Sequence, residues 1–138
     1  MRFWDTSAIV PLLLEQPASG RARELLAEDP AMAAWWGTPI ECWSAAARLR
    51  REGRLSAQDE AAVHALLEHL HDAWVEVLPS EEVRKRALRL LQIHALRSAD
   101  AVQLAAALTC AGSPGGAGFV AFDERLRGAA RVEGLEVY

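Results

Sequence analysis

At 138 residues with 51 % hydrophobic side chains, the chain suits one domain spanning 1–138 with a real core, and disorder or low-complexity architecture is excluded. A net charge of −4 gives no global basic field to recruit nucleic acid, which counts against a general nucleic-acid binder. The apolar stretch Ala8 to Leu14 is too short to span a bilayer and contains Pro11, and Asp5 comes too early for the apolar part of a signal peptide, so a soluble cytoplasmic protein is expected.

Residues 2–5 read as a short buried strand, and Thr6 to Glu15 as a helix whose apolar face is Ile9, Val10, Leu12 and Leu13. Proline is tolerated in a first helical turn, so Pro11 places that helix start between Ser7 and Val10. Gln16-Pro17 breaks the run. Ala18 to Glu28 then carries Ala22, Leu25 and Leu26 at helical spacing, and Asp29-Pro30 ends it. Ala31 to Trp36 is the second strand. Gly37 turns the chain into a helix that runs from Thr38 to Glu52 and stops at Gly53. Ser56 to Ala73 repeats Ala62, Leu66, Leu67 and Leu70 on one face, and Ser56 with Asp59 resembles a capping box. Val75 to Leu78 is the third strand, bounded by Pro79. Ser80 to His94 is a helix capped by Ser80, with Glu81 and Glu82 suiting its dipole. Ser98 to Cys110 is a strongly apolar, buried helix, and Gly112 to Gly118 is a glycine-rich loop. Phe119 to Phe122 is the fourth strand, Glu124 to Ala130 a short helix, and Leu135 to Tyr138 the fifth strand. Strands alternating with helices predict βαβ units and an α/β fold with a mainly parallel sheet of about five strands flanked by helices.

Acidic residues recur where these helices start: Asp5 after the first strand, Glu41 after the second, Asp100 in Arg97-Ser98-Ala99-Asp100, and Asp123 after the fourth strand. Each has a local explanation. Asp5 and Asp123 can be N-caps, Thr38-x-x-Glu41 can be a capping box with Pro39 at the first helical position, and Asp100 suits a helix dipole. Capping alone does not explain the recurrence. In a parallel sheet, strand exits and the helix starts beside them collect along the edge that binds ligands. Carboxylates gathered there repel one another unless protons or a cation neutralise them, and hard cations such as Mg²⁺ and Mn²⁺ prefer carboxylate oxygens. Phosphodiester hydrolysis by a metal-activated water needs no protein nucleophile, so such a pocket suits it.

Asp5-Thr6-Ser7-Ala8, Glu41 opening its helix, Leu96-Arg97-Ser98-Ala99-Asp100-Ala101-Val102, and Phe119-Val120-Ala121-Phe122-Asp123-Glu124-Arg125-Leu126 resemble the PIN domain, in order and spacing, over nearly the whole chain. More narrowly, they resemble the VapC-type ribonuclease toxins of prokaryotic toxin–antitoxin pairs. The resemblance implies a three-layer, doubly wound fold and a Mg²⁺- or Mn²⁺-dependent endoribonuclease. Carried over, Asp5, Glu41, Asp100 and Asp123 are the catalytic, metal-binding carboxylates, with Thr6 and Ser7 supporting them by hydrogen bonds. An RNA substrate, a cognate antitoxin and a homodimer are the partners it implies. One departure is Ala121, where PIN sequences often carry Thr or Ser. Arg97, beside Asp100, is the candidate phosphate contact.

Other readings remain open at this level. A phosphatase could use the same edge, although Ser7 stands where an Asp-x-Asp pattern needs its second acid. A non-catalytic PIN-like interaction module would not need every acid. The clusters Arg48/Arg50/Arg51/Arg54, Arg84/Lys85/Arg86/Arg89 and Arg125/Arg127/Arg131 read first as solvated helix faces. His64, His69 and His71 lack the spacing of a helical zinc pair. Trp35, Trp36 and Trp43 read first as core, and otherwise as an apolar groove or dimer surface suited to helix docking. Cys42 and Cys110 read as ordinary thiols.

Overall fold

The computed structural model describes residues 1–112 and 118–138, so most of the expected Gly112–Gly118 loop lies outside the described residues. Five strands, β1 (Arg2–Trp4), β2 (Met32–Trp35), β3 (Val75–Val77), β4 (Gly118–Val120) and β5 (Glu136–Val137), form one sheet in the order β3-β2-β1-β4-β5. Every pairing is parallel. Parallel neighbours need crossovers, and the helices supply them: α1 (Thr6–Leu13), α2 (Ser19–Glu28), α3 (Thr38–Arg51), α4 (Ala57–Ala73), α5 (Glu81–Ile93), α6 (Ser98–Ala111) and α7 (Glu124–Val132).

Side-chain alternation along the strands sorts the helices into two layers. Phe3, Ala33 and Phe119 point to a core built with α5, α6 and α7, where Val83, Leu90, Leu104 and Leu126 are buried. Trp4, Ala34 and Val120 point to the opposite core, built with α1 to α4 from Ile9, Leu25, Cys42, Leu67 and Trp74. The central strands β1, β2 and β4 carry only apolar buried residues, as a parallel sheet requires, whereas the edge strands β3 and β5 carry Glu76 and Glu136. Among the described residues no helix is long and apolar enough to cross a membrane.

Several local expectations are corrected. Helix α1 begins at Thr6 with Asp5 as its cap, so Pro11 sits inside it rather than in the first turn. Pro11 has no N–H to give the Ser7 carbonyl, and the loss is limited because the helix stops at Leu13. On α4 the buried positions are Val63 and Leu67, whereas Leu66 is exposed; the buried face is rotated by about one residue from the expected one. Gly118 belongs to β4. The Ser56 cap of α4 and the Ser80 cap of α5 form as the sequence predicts, on the Asp59 and Val83 N–H groups. Gly53 ends α3 at φ 70°, with the Arg54 N–H returning to the Leu49 carbonyl at 2.9 Å.

The core role expected of Trp35, Trp36 and Trp43 holds only in part, for Trp35, which is half-buried against the core of α5, α6 and α7. Trp4 and Trp74 are buried, but Trp36 and Trp43 are each 48 % exposed, and Trp43 stacks on His64 with ring centroids 3.4 Å apart. Both cysteines are free.

Candidate active site

The chain leaves β1 towards β2 on one side and returns into β4 on the other, so the carboxyl end of β1 is the switch point of the sheet, where such folds open a crevice. Asp5 stands there. Its backbone N–H donates to the Val120 carbonyl at 2.9 Å, tying it to β4, and its Oδ2 accepts from the Ser7 N–H at 2.8 Å as the cap of α1. Ser7 closes the same corner from above: its Oγ accepts the Phe122 N–H at 2.9 Å. That hydroxyl lies against the β4 exit, next to Ala121, where the expected hydroxyl is missing. Asp123 follows, exposed, capping α7 through the Leu126 N–H at 2.9 Å. Glu41 lies in the first turn of α3 after β2, and Asp100 in the first turn of α6.

Asp5 is 4 % exposed, and its carboxyl is pushed up from 3.8 to about 6. Burial is the largest cause. The Ser7 hydrogen bonds oppose it, and the charges of Glu41 and Asp100 add to it. Asp5, Glu41 and Asp100 therefore share one field although they are distant in the chain. The same field reaches Cys42, whose thiol is pushed up to about 12 by burial and then by Glu41 and Asp5. Asp123 joins from the outer side: a cleft of about 350 Å³ is lined by Arg97, Asp100, Asp123, Glu124 and Arg125.

The expected Thr38–Glu41 capping box does not form, since α3 has no side-chain cap. Thr38 is fully buried, and both its hydroxyl and the Glu41 carboxylate face Gln103 of α6 instead. Gln103 Nε2 donates to Thr6 Oγ1 at 2.8 Å, to Thr38 Oγ1 at 3.2 Å and to Glu41 Oε1 at 3.2 Å. Its Oε1 is buried with no partner among the described residues. An unmatched buried acceptor costs about 1–3 kcal/mol. Sequence reasoning did not single out Gln103. The available signal was one carboxamide inside the apolar run 101–107, one turn beyond Asp100 on the same helix face.

Six of the eleven residues in the basic clusters are held in ion pairs: Arg50 with Glu60, Arg54 with Glu52, Arg84 with Glu81, Arg86 with Glu82, Arg89 with Glu133 and Arg127 with Glu124. Arg97 and Arg125 instead line the acidic cleft.

The donors at this edge are carboxylate oxygens, the type that Mg²⁺ and Mn²⁺ accept. Among the described residues, no group of three or more His, Cys, Asp or Glu side chains is arranged to hold a metal ion by itself. Mg²⁺ keeps several waters and takes one or two protein carboxylates directly, so an ion of that kind would not require a closed cage. The repulsion and burial that raise Asp5 are what a cation there would relieve.

The family model of the PIN domain matches residues 2–132. No curated protein matches the chain by sequence. Among solved structures, VapC20 of Mycobacterium tuberculosis, described as a Sarcin-Ricin loop cleaving toxin, is 21 % identical with a TM-score of 0.69, covering 94 % of this chain and 95 % of its own. FitAcB from Neisseria gonorrhoeae is 18 % identical with a TM-score of 0.69, covering 100 % of this chain and 96 % of its own. A toxin-antitoxin complex from Klebsiella pneumoniae is 15 % identical with a TM-score of 0.64, covering 89 % and 87 %. At these identities the likeness is one of fold.

Proposed function

We propose that this chain, which belongs to the PIN domain family, is a divalent-metal-dependent endoribonuclease and the toxin of a type II toxin–antitoxin pair acting in the cytoplasm. The observation that carries the reading is the buried Asp5 carboxyl, raised to about 6 at the switch point of the sheet within the field of Glu41 and Asp100. Titratable groups shifted by burial and by one another at a ligand-binding edge are characteristic of functional sites. Asp5, Glu41 and Asp100 would hold the ion, with Asp123 contributing across the cleft that it shares with Asp100. When bound, Mg²⁺ or Mn²⁺ supplies an acidified water and neutralises phosphoryl charge.

The chain's own groups orient the reaction. Ser7 fixes the β4 exit that carries Asp123, and Thr6 and Thr38 anchor the amide beside Glu41. Arg97 and Arg125, on the walls of the cleft, are the groups that would hold a phosphate, since guanidinium matches its oxygens in pairs. The toxin and antitoxin named among the structural neighbours support this assignment. For the antitoxin, the exposed Ile40 and Trp43, three apart on α3, with the exposed Trp36 just before that helix, offer apolar surface suited to a docked helix. For a homodimer, the exposed Leu88 and Leu91, three apart on α5, offer another apolar face.

The test is cleavage of a single-stranded RNA by purified protein with Mn²⁺ or Mg²⁺ and again with chelator, beside a phosphomonoester substrate. Internal RNA cleavage that chelator abolishes supports the reading. Phosphomonoester hydrolysis without RNA cleavage would make the protein a phosphatase, and inertness towards both would leave an interaction module.

A further inference from the structure

Helix α6 is apolar along its buried face except at one position. Gln103 lies among Ala101, Leu104, Ala105, Ala106 and Ala107 and is 1 % exposed. Its carboxamide nitrogen carries two hydrogens and faces three acceptors, on α1 and α3: the hydroxyls of Thr6 and Thr38 and the carboxylate of Glu41. Either hydroxyl could equally donate to a carboxamide oxygen. The Glu41 carboxylate can only accept, so Glu41 fixes which way the amide points. The reverse orientation would set the amide oxygen against a carboxylate. The consequence of the orientation adopted is that Gln103 Oε1 is buried without a donor among the described residues. A residue placed there for packing alone would need no polar atoms; methionine or leucine would fill the space without burying an amide oxygen that has no donor, and would give up the contacts to Thr6, Thr38 and Glu41.

From these contacts the structure assigns Gln103 as a positioning residue of the acidic site. It holds the Glu41 carboxylate and the Thr6 hydroxyl, next in sequence to Asp5, in one arrangement across α1, α3 and α6. Glu41 is half-buried on a long side chain, and Asp5 lies within its field. Without the amide donor, repulsion would favour rotamers that carry the Glu41 carboxylate away from the site, and a binding cation would have to draw it back. The inference rests on the cation-binding reading above and goes beyond it in naming the residue that orders the ligands.

Mn²⁺ titrated calorimetrically into metal-free protein tests this, with thermal melts of the same preparations. Gln103→Met is expected to bind Mn²⁺ about 10- to 100-fold more weakly, as changes to residues that orient metal ligands do, while melting within a few degrees of the wild type. Glu41→Gln is expected to lose binding to a similar extent. The Gln103→Met/Glu41→Gln double variant should lose no more than Glu41→Gln alone, because both changes act through one carboxylate. Gln103→Leu serves as the second variant if the methionine protein does not fold. Wild-type Mn²⁺ affinity in the folded Gln103 variant, or losses that multiply in the double variant, would overturn the assignment. A wild-type protein that folds but takes up no Mn²⁺ would instead overturn the cation reading, and this assignment with it.

Discussion

Asp5→Asn separates a structural cap from a strained ligand. Asparagine caps a helix as well as aspartate does, so the bond to the Ser7 N–H survives the exchange. What is lost is a charge that the fold tolerates poorly. Between 3.8 and about 6, native Asp5 keeps a proton that the unfolded chain has released. Its contribution to stability therefore falls as pH rises through that window and stays at its lowest above it. A carboxyl raised from 3.8 to about 6 corresponds to about 3 kcal/mol against the metal-free fold at pH 8. Asp5→Asn should recover most of this, raising the melting temperature by about 10 °C for a chain of this size. The gain should shrink as pH falls and vanish near pH 3.5. Melts of both proteins in chelator at pH 8, 6 and 3.5 measure it, and titrating groups outside the field of Asp5, Glu41 and Asp100 cancel in the comparison. Added Mn²⁺ should raise the melting temperature of the wild type and leave the variant unchanged. If Asp5→Asn is no more stable than the wild type at pH 8, the Asp5 charge is not one the fold tolerates poorly and the reasoning fails.

Asp100→Asn, at a half-buried position that takes no part in capping, should cut RNA cleavage by about 100-fold or more while the circular dichroism spectrum and melt remain those of a folded protein. Ser7→Ala leaves the Phe122 N–H without its acceptor and should destabilise by about 1–3 kcal/mol, read as a lower denaturant midpoint at unchanged slope. The Cys42 thiol, buried and pushed up to about 12, should react with a disulfide reagent at pH 8 only as fast as the protein opens, and faster labelling would contradict its placement.

The alternation of strand and helix was legible because each turn between them carries its own chemistry. Ser56 and Ser80 cap helices as their positions predict, and Gly53 supplies the left-handed residue that ends α3. The recurrence of acids at strand exits was equally plain, since Asp5 and Asp123 immediately follow short apolar runs. Local rules failed where tertiary contacts outweighed them. Thr38 and Glu41 have the spacing of a capping box, yet burial of Thr38 against α6 draws both side chains to Gln103. Pro11 is accommodated in a helix too short to lose much by it. The face of α4 was misplaced because alanines and leucines repeat around much of it, so periodicity alone does not select Val63 and Leu67. Trp36 and Trp43 show the limit of hydrophobicity as a guide to burial: large apolar side chains that belong to no core are surface features, and only the packed structure distinguishes them.

The most direct measurement is anomalous diffraction at the manganese edge from crystals grown with Mn²⁺. A peak is expected at the carboxyl end of β1, within direct or single-water reach of Asp5 and Asp100. A well-ordered crystal with that edge empty of manganese, or with manganese bound only on a remote face, would contradict the metal-site reading.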